Sequence, residues 1–309
     1  MKCLIFGGAG FIGSAIADKL LSQGHSIRIF ERPRVPPYRK FEATEDVEWV
    51  TGDILSVHDV ADAMVGADAI FHLVSTTLPK NSNDDPIYDV QSNIVGSIQI
   101  LNAMVASKIQ KIIFISSGGT VYGTPQKLPI EESHSTDPFV SYGITKLAIE
   151  KYMLLYKRLH GIQPIILRVS NPFGERQRIE TAQGAVAVFL ARALHGAPIE
   201  IWGDGSIVRD YIYIDDVANA FLKALHYAGS ENIFNISSGF GFSINQLLEE
   251  IETIAGHPLD KKYLPGRPYD VPINVLRNDL ASRELDWRPM TSFKKGLART
   301  AAWMKSQPL

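Results

Sequence analysis

Near its start the chain reads Lys2-Cys3-Leu4-Ile5-Phe6-Gly7-Gly8-Ala9-Gly10-Phe11-Ile12-Gly13. The residues before Gly7 are apolar at consecutive positions, which is typical of a strand covered on both faces within a parallel sheet. The glycines that follow suit a tight turn whose backbone a phosphate group can approach closely, at the start of a helix with free amides. This junction therefore predicts a dinucleotide-binding turn, with candidate contacts at Gly7, Gly10, Phe11, Ile12 and Gly13.

The alternation of short apolar strands with longer helical segments continues along the first half of the chain. We predict strands at Lys2–Phe6, Ser26–Glu31, Val47–Thr51, Ala69–Leu73, Lys111–Ser116 and Gln163–Arg168. We predict helices at Phe11–Gln23, Val57–Val65, Tyr88–Ser107 and Ser141–His160. This β-α-β rhythm predicts an α/β fold with a Rossmann-type doubly wound parallel sheet.

After Asn171 the alternation becomes less regular. We predict strands at Ile199–Trp202, Asp210–Ile214 and Ile233–Ile236, and helices at Ala185–His195, Asp216–His226 and Ile244–Ala255. We therefore expect a Rossmann domain over residues 1–168 and a smaller α/β substrate-binding lobe over residues 169–309, partly interwoven with the first.

The composition excludes several classes of protein. The chain has 309 residues, a formal net charge of −2 and one cysteine, Cys3. The charge gives no electrostatic footprint for nucleic acid or an anionic membrane, and one cysteine cannot form an internal disulfide. No apolar run reaches the roughly 18 residues of a membrane span, and the early glycines interrupt any signal peptide. We expect a cytoplasmic protein without nucleic-acid, membrane or metal partners.

An acidic residue ends the second predicted strand, because Glu31 follows the last motif glycine by about 18 positions. A carboxylate at this place bonds the adenosine ribose hydroxyls of a dinucleotide, which favours NAD. Arg32 and Arg34 leave NADP as an alternative, since an arginine here can hold its extra phosphate.

Asp53, after the third predicted strand, is placed to meet the adenine amino group, unless it only caps the next helix. Ile54 beside it, and Leu73 at the end of the fourth predicted strand, are further candidate cofactor contacts.

Tyr142 and Lys146 are four residues apart, on one face of a predicted helix. A phenol with a pKa near 10 is a poor base at neutral pH. A nearby ammonium, together with a positive nicotinamide ring, favours the phenolate and lowers that pKa. Ser117 and Thr120, just after a predicted strand, supply hydroxyls that can polarise a carbonyl or an alcohol.

These motifs together resemble the extended short-chain dehydrogenases/reductases. The glycine turn, the segment Phe114–Gly123 and the Tyr142/Lys146 pair are similar to the UDP-galactose 4-epimerase branch of the NAD-dependent epimerases and dehydratases. The similarity extends from the first strand to about Arg288. The resemblance implies an enzyme that binds NAD and a nucleotide-linked sugar.

The resemblance also implies roles for residues that spacing alone does not assign. Asn93 matches an asparagine near the cofactor and the active site. Residues that match the family's grip on the nucleotide sugar are Asn171, Arg209 and Arg267 for the diphosphate, Asp270 for the ribose and Trp202 for the base.

The sequence departs from the best-known epimerases at two positions. Gly118 stands where those enzymes carry a catalytic serine, so we expect the hydroxyl from Ser117, or else from Thr120. Asn274 stands where a tyrosine closes the sugar pocket, and its smaller side chain leaves room for an N-acetylated sugar.

The resemblance favours reversible inversion at C4 of a nucleotide-linked hexose, of the UDP-glucose or UDP-N-acetylglucosamine type. Tyr142 takes the C4 hydroxyl proton while hydride passes to NAD⁺, Lys146 tunes Tyr142 and holds the nicotinamide ribose, and Ser117 steadies the oxygen. The alternatives are an NADPH-dependent 4-ketoreductase of a 6-deoxyhexose and a nucleotide sensor without catalysis. A 4,6-dehydratase is disfavoured, because Gly119 and Thr120 occupy the places of its acidic pair.

Two further expectations come from the family alone. Members pair through two helices each, here Tyr88–Ser107 and Ser141–His160, so we expect a homodimer. Supply of cell-surface polysaccharide precursors is the expected pathway. Arg176 and Arg178 lie near the place where uronic-acid epimerases hold a substrate carboxylate, in a pattern too generic to decide.

Overall fold

The computed structural model describes residues 1–77, 82–177, 179, 184–267 and 271–307. The first half contains β1 (Lys2–Phe6), α1 (Phe11–Ser22), β2 (Ser26–Glu31), β3 (Val47–Thr51), α2 (Val57–Met64), β4 (Ala69–His72), α3 (Pro86–Asp89), a π-helical segment (Val90–Val95), α4 (Gly96–Ser107), β5 (Lys111–Ser117), α5 (Ser141–His160) and β6 (Gln163–Val169). The second half contains β7 (Asn171–Phe173), α6 (Ala185–Leu194), β8 (Ile199–Trp202), β9 (Val208–Tyr213), α7 (Ile214–His226), β10 (Ile233–Ile236), β11 (Gly241–Ser243), α8 (Ile244–Ala255), β12 (Lys261–Leu264), β13 (Ile273–Asn274), α9 (Asp279–Glu284) and α10 (Phe293–Ser306).

The described part of the chain forms one seven-stranded sheet in the order β10-β6-β5-β4-β1-β2-β3. Every neighbouring pair in it is parallel. The predicted Rossmann-type sheet is therefore confirmed. The strand order reverses between β1 and β4, and ligands of such sheets bind in the crevice at the carboxyl ends of the strands there.

The apolar runs of the central strands fill cores on both faces of the sheet. On one face Cys3 and Ile5 of β1 belong to a buried cluster that includes residues of α1 and α7. On the other face Leu4 and Phe6 belong to a second cluster that includes residues of α2, α4 and α5. Successive strand residues point to opposite faces, so a consecutive apolar run is what a doubly covered sheet requires.

The second half of the chain builds smaller sheets around β9 and also returns to the large sheet. β9 pairs with β7, β11 and β13, and β8 pairs with β12. β10 is parallel to β6 and extends the large sheet at that end. In the described residues no helix is long and apolar enough to cross a lipid bilayer.

The helical region predicted over Tyr88–Ser107 is more elaborate in the structure. It begins at Pro86, where the Asp85 carboxylate accepts a hydrogen bond from the Tyr88 amide at 2.9 Å. A π-helical stretch then separates α3 from α4. Such stretches occur often at functional sites, and this one contains Asn93.

Candidate active site

The glycine turn lies between β1 and α1, at the reversal point of the sheet. Gly7 has φ +86°, and a Cβ there would lie 3.2 Å from the Val74 amide nitrogen. A Cβ at Gly13 would overlap the Gly7 carbonyl oxygen, so Gly13 lets α1 start directly against the turn. The packing within the protein therefore requires glycine at both positions, whether or not a ligand binds there.

Gly10, the N-cap of α1, has no such internal explanation. Its backbone is extended, at φ −79° and ψ −177°, and a Cβ there would meet only the Gly7 oxygen, at an ordinary 3.7 Å. The missing side chain leaves open space in front of the helix, where the first amides, at Phe11, Ile12 and Gly13, lack intrahelical acceptors. A diphosphate requires this space and these donors.

Glu31 ends β2 beside the glycine turn. Its carboxylate accepts a hydrogen bond from the Arg32 amide at 3.1 Å, and burial raises its pKa. A backbone hydrogen bond from Ala9 links the same carboxylate to the turn. Arg32 and Arg34 are exposed, and Arg34 has the left-handed φ of +66°.

The remaining candidate cofactor contacts have well-defined structural surroundings. Asp53 is exposed, and its carboxylate accepts a hydrogen bond from the Leu55 amide at 2.9 Å. The cap of α2 is Ser56, not Asp53. Ile54 is buried in the core against Gly96, where a Cβ would lie 3.1 Å from it. Leu73 follows β4 at the reversal point, and its amide bonds the Phe6 carbonyl at 3.0 Å.

Tyr142 and Lys146 share the first turns of α5. The Lys146 ammonium is buried, donates to the Ile115 carbonyl at 3.1 Å and lies 4.8 Å from the centroid of the Phe114 ring. Burial lowers the pKa of Lys146 to about 8.

The Tyr142 phenol departs from the expectation of a lowered pKa. Burial raises the pKa of Tyr142 to about 12, a hydrogen bond with Ser75 acts in the opposite direction, and the Asp89 charge raises it further. The Lys146 nitrogen lies over the Tyr142 ring, 5.6 Å from its centroid. Desolvation of the phenolate is therefore the dominant effect on the pKa of Tyr142.

The structure explains the missing serine at Gly118. A Cβ at this position would overlap the side chain of Leu276, which is fully buried, and would lie 3.1 Å from the Arg168 carbonyl oxygen. The nearby Thr120 hydroxyl is buried and has no hydrogen-bond partner among the described residues. Ser117 ends β5 and its carbonyl accepts from the Val121 amide at 3.1 Å, so both candidate hydroxyls flank the blocked position.

The candidate residues of the lobe make two kinds of contact: two of them stack on each other, and two others donate to backbone carbonyls. The Arg267 guanidinium stacks on Trp202, 4.2 Å from the ring centroid, and Trp202 is 42% exposed. Arg209 donates to the Val271 carbonyl at 2.6 Å, and Asn171 donates to the Asp210 carbonyl at 2.9 Å.

Asn274 couples the lobe to the loop that carries the hydroxyls. It is 1% exposed, and its amide nitrogen donates to the Gly118 carbonyl at 3.1 Å. Its buried amide oxygen has no partner among the described residues. Asp270 and Arg178 lie outside the described residues. Arg176 pairs with Asp18 of α1 at 2.6 Å.

Sequence reasoning missed two buried acidic residues beside the Tyr142/Lys146 pair. Glu150, one turn after Lys146, pairs with Arg168 of β6 at 2.6 Å, and both side chains are almost completely buried. Asp89 is fully buried and bonds Asn93 at 2.9 Å. Glu150 lies four residues after Lys146 on the same helix, whereas no sequence pattern singled out Asp89.

A parallel sheet of this order, an open glycine turn at its reversal point and a tyrosine paired with a buried lysine define an enzyme class that works with a dinucleotide cofactor. A model of the NAD dependent epimerase/dehydratase family matches residues 3–237. The chain belongs to this family, so the resemblance to the extended short-chain dehydrogenases/reductases is confirmed.

Individual relatives align with this chain over nearly its full length. A UDP-glucose 4-epimerase of Mycolicibacterium smegmatis is 32% identical and covers 99% of both chains. A dTDP-4-dehydro-6-deoxyglucose reductase of Escherichia coli is 34% identical over 95% of this chain and 94% of that protein.

Solved structures of epimerases superpose on this chain over nearly its full length. A UDP-glucose 4-epimerase of Thermotoga maritima with UDP-glucose has a TM-score of 0.94 at 32% identity, with 99% of both chains covered. The enzyme of Thermus thermophilus with NAD has a TM-score of 0.92 at 30% identity and covers 100% of both chains. A UDP-N-acetylglucosamine 4-epimerase of Methanobrevibacter ruminantium has a TM-score of 0.92 at 28% identity, with 99% of both covered.

Proposed function

We propose that this protein is an NAD-dependent 4-epimerase of a nucleotide-linked hexose, of the UDP-glucose or UDP-N-acetylglucosamine type. The observation that carries the proposal is the Tyr142/Lys146 pair: the buried Lys146 ammonium lies 5.6 Å from the Tyr142 ring centroid, and Thr120, with its unpaired hydroxyl, packs against the same helix at Gly143. The named epimerases among its relatives support the same choice.

The residues at the reversal point fit NAD. The amides of Phe11, Ile12 and Gly13 receive the diphosphate in the space that Gly10 leaves open. The Glu31 carboxylate receives the adenosine ribose and repels a phosphate at the same place. Bound NAD⁺ would supply a hydride acceptor for the sugar carbon, and the NADH so formed would supply the hydride donor for the opposite face of the 4-keto sugar.

The chain's own residues move the proton. The Tyr142 oxygen takes the proton of the C4 hydroxyl as the carbonyl forms and gives it back when the alcohol is restored. Lys146, fixed by the Ile115 carbonyl, keeps a positive charge against the phenol. Ser117 or Thr120 donates to the sugar oxygen, and the unpaired Thr120 hydroxyl is available for such a bond.

The lobe residues hold the nucleotide. We propose that Arg209, Arg267 and Asn171 bind the diphosphate, that Trp202 contacts the base and that Asp270 binds the ribose. A guanidinium is suited to a diphosphate because it donates two parallel hydrogen bonds. We also propose that Asn274, which donates to the Gly118 carbonyl, leaves room for an N-acetyl group, because its side chain is smaller than the tyrosine of the best-known epimerases.

We also propose that the enzyme is a homodimer. A stripe of exposed apolar side chains follows one face of α5: Ile144, Tyr152, Leu155 and Leu159 are 55%, 38%, 43% and 61% exposed. On α4, which packs beside α5, Val105 is also exposed. Pairing α4 and α5 with those of a second copy covers the stripe in a four-helix bundle. We further propose that the enzyme acts in the cytoplasm, in the supply of precursors for cell-surface polysaccharide. Residues 1–168 form the Rossmann domain in this proposal, and residues 169–309 form a sugar-nucleotide-binding lobe partly interwoven with it.

A second candidate is a 4-ketoreductase that uses NADPH. The Escherichia coli relative is named as a reductase of this kind, and exposed Arg32 and Arg34 lie where a second phosphate would be held. The two functions differ in whether the cofactor leaves after each turnover.

The test is to purify the protein, denature it and identify the released nucleotide. We expect close to one NAD(H) per chain, and interconversion of UDP-glucose with UDP-galactose or of the N-acetylated pair. Tyr142→Phe is the matched control and loses this activity while keeping the nucleotide. An empty protein that prefers NADPH and reduces a 4-keto sugar nucleotide would overturn the epimerase proposal.

A further inference from the structure

Asp89, the last residue of α3, is a fully buried carboxylate at which four side-chain donors converge. One of its oxygens accepts from Thr77 and, at 2.9 Å, from the Asn93 amide. The other accepts from the Ser141 hydroxyl at 2.6 Å and from the Thr145 hydroxyl at 2.7 Å. The carboxylate therefore joins the loop after β4, the π-helical segment and the first turn of α5.

Two of these donors are next to the proposed catalytic residues in the chain. Ser141 directly precedes Tyr142, and Thr145 directly precedes Lys146. The N-cap of α5, Val140, has no side chain that can cap the helix. Instead the Ser141 amide donates to Asn83 at 2.9 Å and the Tyr142 amide donates to Ser82 at 3.0 Å. The first turn of α5 is thus held from outside, by the segment that leads into α3 and by Asp89.

Two carboxylates act on Lys146, since the charges of Asp89 and Glu150 both raise its pKa. Glu150 is paired with Arg168 at 2.6 Å. His72 of β4 is neutral, because burial lowers its pKa to about 3. Asp89 takes part in no ion pair among the described residues. It is therefore the one buried carboxylate near Lys146, in the described part of the chain, whose charge no arginine balances.

We propose that Asp89 is a positioning residue of the reaction centre, which fixes the first turn of α5 and provides the counter-charge of buried Lys146. The proposal rests on the proposed roles of Tyr142 and Lys146. A negative charge at this position has two electrostatic effects, since it favours the ammonium form of Lys146 and disfavours the phenolate form of Tyr142.

The sign of the effect follows from this geometry. The Asp89 charge raises the pKa of Tyr142 and also that of Lys146. Asp89→Asn removes the charge at nearly constant shape, so both pKa values fall. The charges of Glu150 and Arg168 and the neutral His72 stay as they are.

The experiment measures the pH dependence of kcat and kcat/KM for wild type and Asp89→Asn. We expect the acidic and the alkaline limb of the pH profile to move to lower pH by about one unit in Asp89→Asn. The Tyr142 phenol is also titrated by tyrosinate absorbance, each protein being compared with its Tyr142→Phe derivative. Its midpoint moves in the same direction. Unchanged limbs and an unchanged midpoint would show that the charge of Asp89 has no such role.

Thr145→Val is the matched variant, because it removes one hydrogen bond to Asp89 and keeps the charge. We expect kcat to fall several-fold with both limbs of the pH profile in place. If Asp89→Asn does not fold, a wild-type kcat in Thr145→Val overturns the positioning role. The absorbance titration needs no substrate, so failure of the proposed epimerase reaction is distinguishable from failure of this proposal.

Discussion

The identity of residue 118 is determined by the packing of a residue that is distant in the sequence. The serine of the best-known epimerases cannot stand here, because Leu276 fills the space that its Cβ would need. Leu276 in turn is held by its amide, which donates to the buried Asp210 carboxylate at 3.3 Å. The glycine is thus explained by a leucine that follows β13.

Gly118→Ser is therefore expected to destabilise the protein by about 1–3 kcal/mol, since it overpacks a buried site. Leu276→Ala alone should lose roughly 2–5 kcal/mol by leaving a cavity. In the double variant the serine occupies part of that cavity, so the combined loss is smaller than the sum. Urea unfolding of the four proteins measures this coupling. Additive losses would contradict the steric explanation.

At this scale the sequence predicted the residues that form motifs and missed those that depend on three-dimensional neighbours. Tyr142 and Lys146 follow from their spacing, and Gly7 and Gly13 from the turn. Asp89 did not, because its partners Ser141 and Thr145 are 52 and 56 residues away in the chain. The raised pKa of Tyr142 was missed for the same reason, since burial is a property of the fold.

Helix α5 shows how one element serves two surfaces. Its inner side includes buried Lys146 and Glu150, whereas Tyr152, Leu155 and Leu159 are exposed apolar residues. A helix of a monomer would carry polar residues on the second side. This exposed stripe is the physical basis for the proposed dimer.

Leu155→Asp is expected to convert the dimer into monomers, because it places a charge in the centre of the stripe. Light scattering coupled to gel filtration measures the mass. Met290→Asp is the matched control, since Met290 is 78% exposed and lies outside α4 and α5. If Leu155→Asp keeps the mass of the wild type, the four-helix arrangement is wrong.

The elements that sequence patterns predicted well are those with a continuous apolar run or a clear turn at one end, such as β5 and α1. The α10 helix was missed although it has 14 residues, because its mean hydropathy is low and its run Phe293-Lys294-Lys295-Gly296 reads as a loop. In the structure Ser292 caps it, and Gly296 allows the close approach of Phe173 and Tyr213. The sequence also carried a local signal for this helix, since its buried residues follow helical spacing: Phe293, Gly296, Leu297, Thr300 and Ala301.

Across the whole molecule the two halves of the chain are joined by more than a linker. β10 extends the large sheet beside β6, and α7 packs against α1. Lys19 of α1 also pairs with Asp215 of α7 at 3.4 Å. The first half therefore depends on the second for one edge of its sheet and for the cover over one helix.

A fragment of residues 1–168 is accordingly expected not to fold cooperatively, because it lacks both β10 and α7. Thermal unfolding followed by circular dichroism should show no sharp transition, and the fragment should expose apolar surface to a dye such as ANS. A fragment of residues 1–236, which contains both elements, is the control and should recover part of the transition. A sharp transition in the shorter fragment would contradict this interdependence.

The late position of β10 also sets an order of events on the ribosome. The hydrogen-bonding edge of β6 stays unpaired until residues 233–236 have been synthesised, about 65 residues after β6 itself. Pairing at such a distance is slow, and an open parallel edge is a template for other strands. The nascent chain therefore passes through an interval in which this open edge can pair with strands of other chains and aggregate.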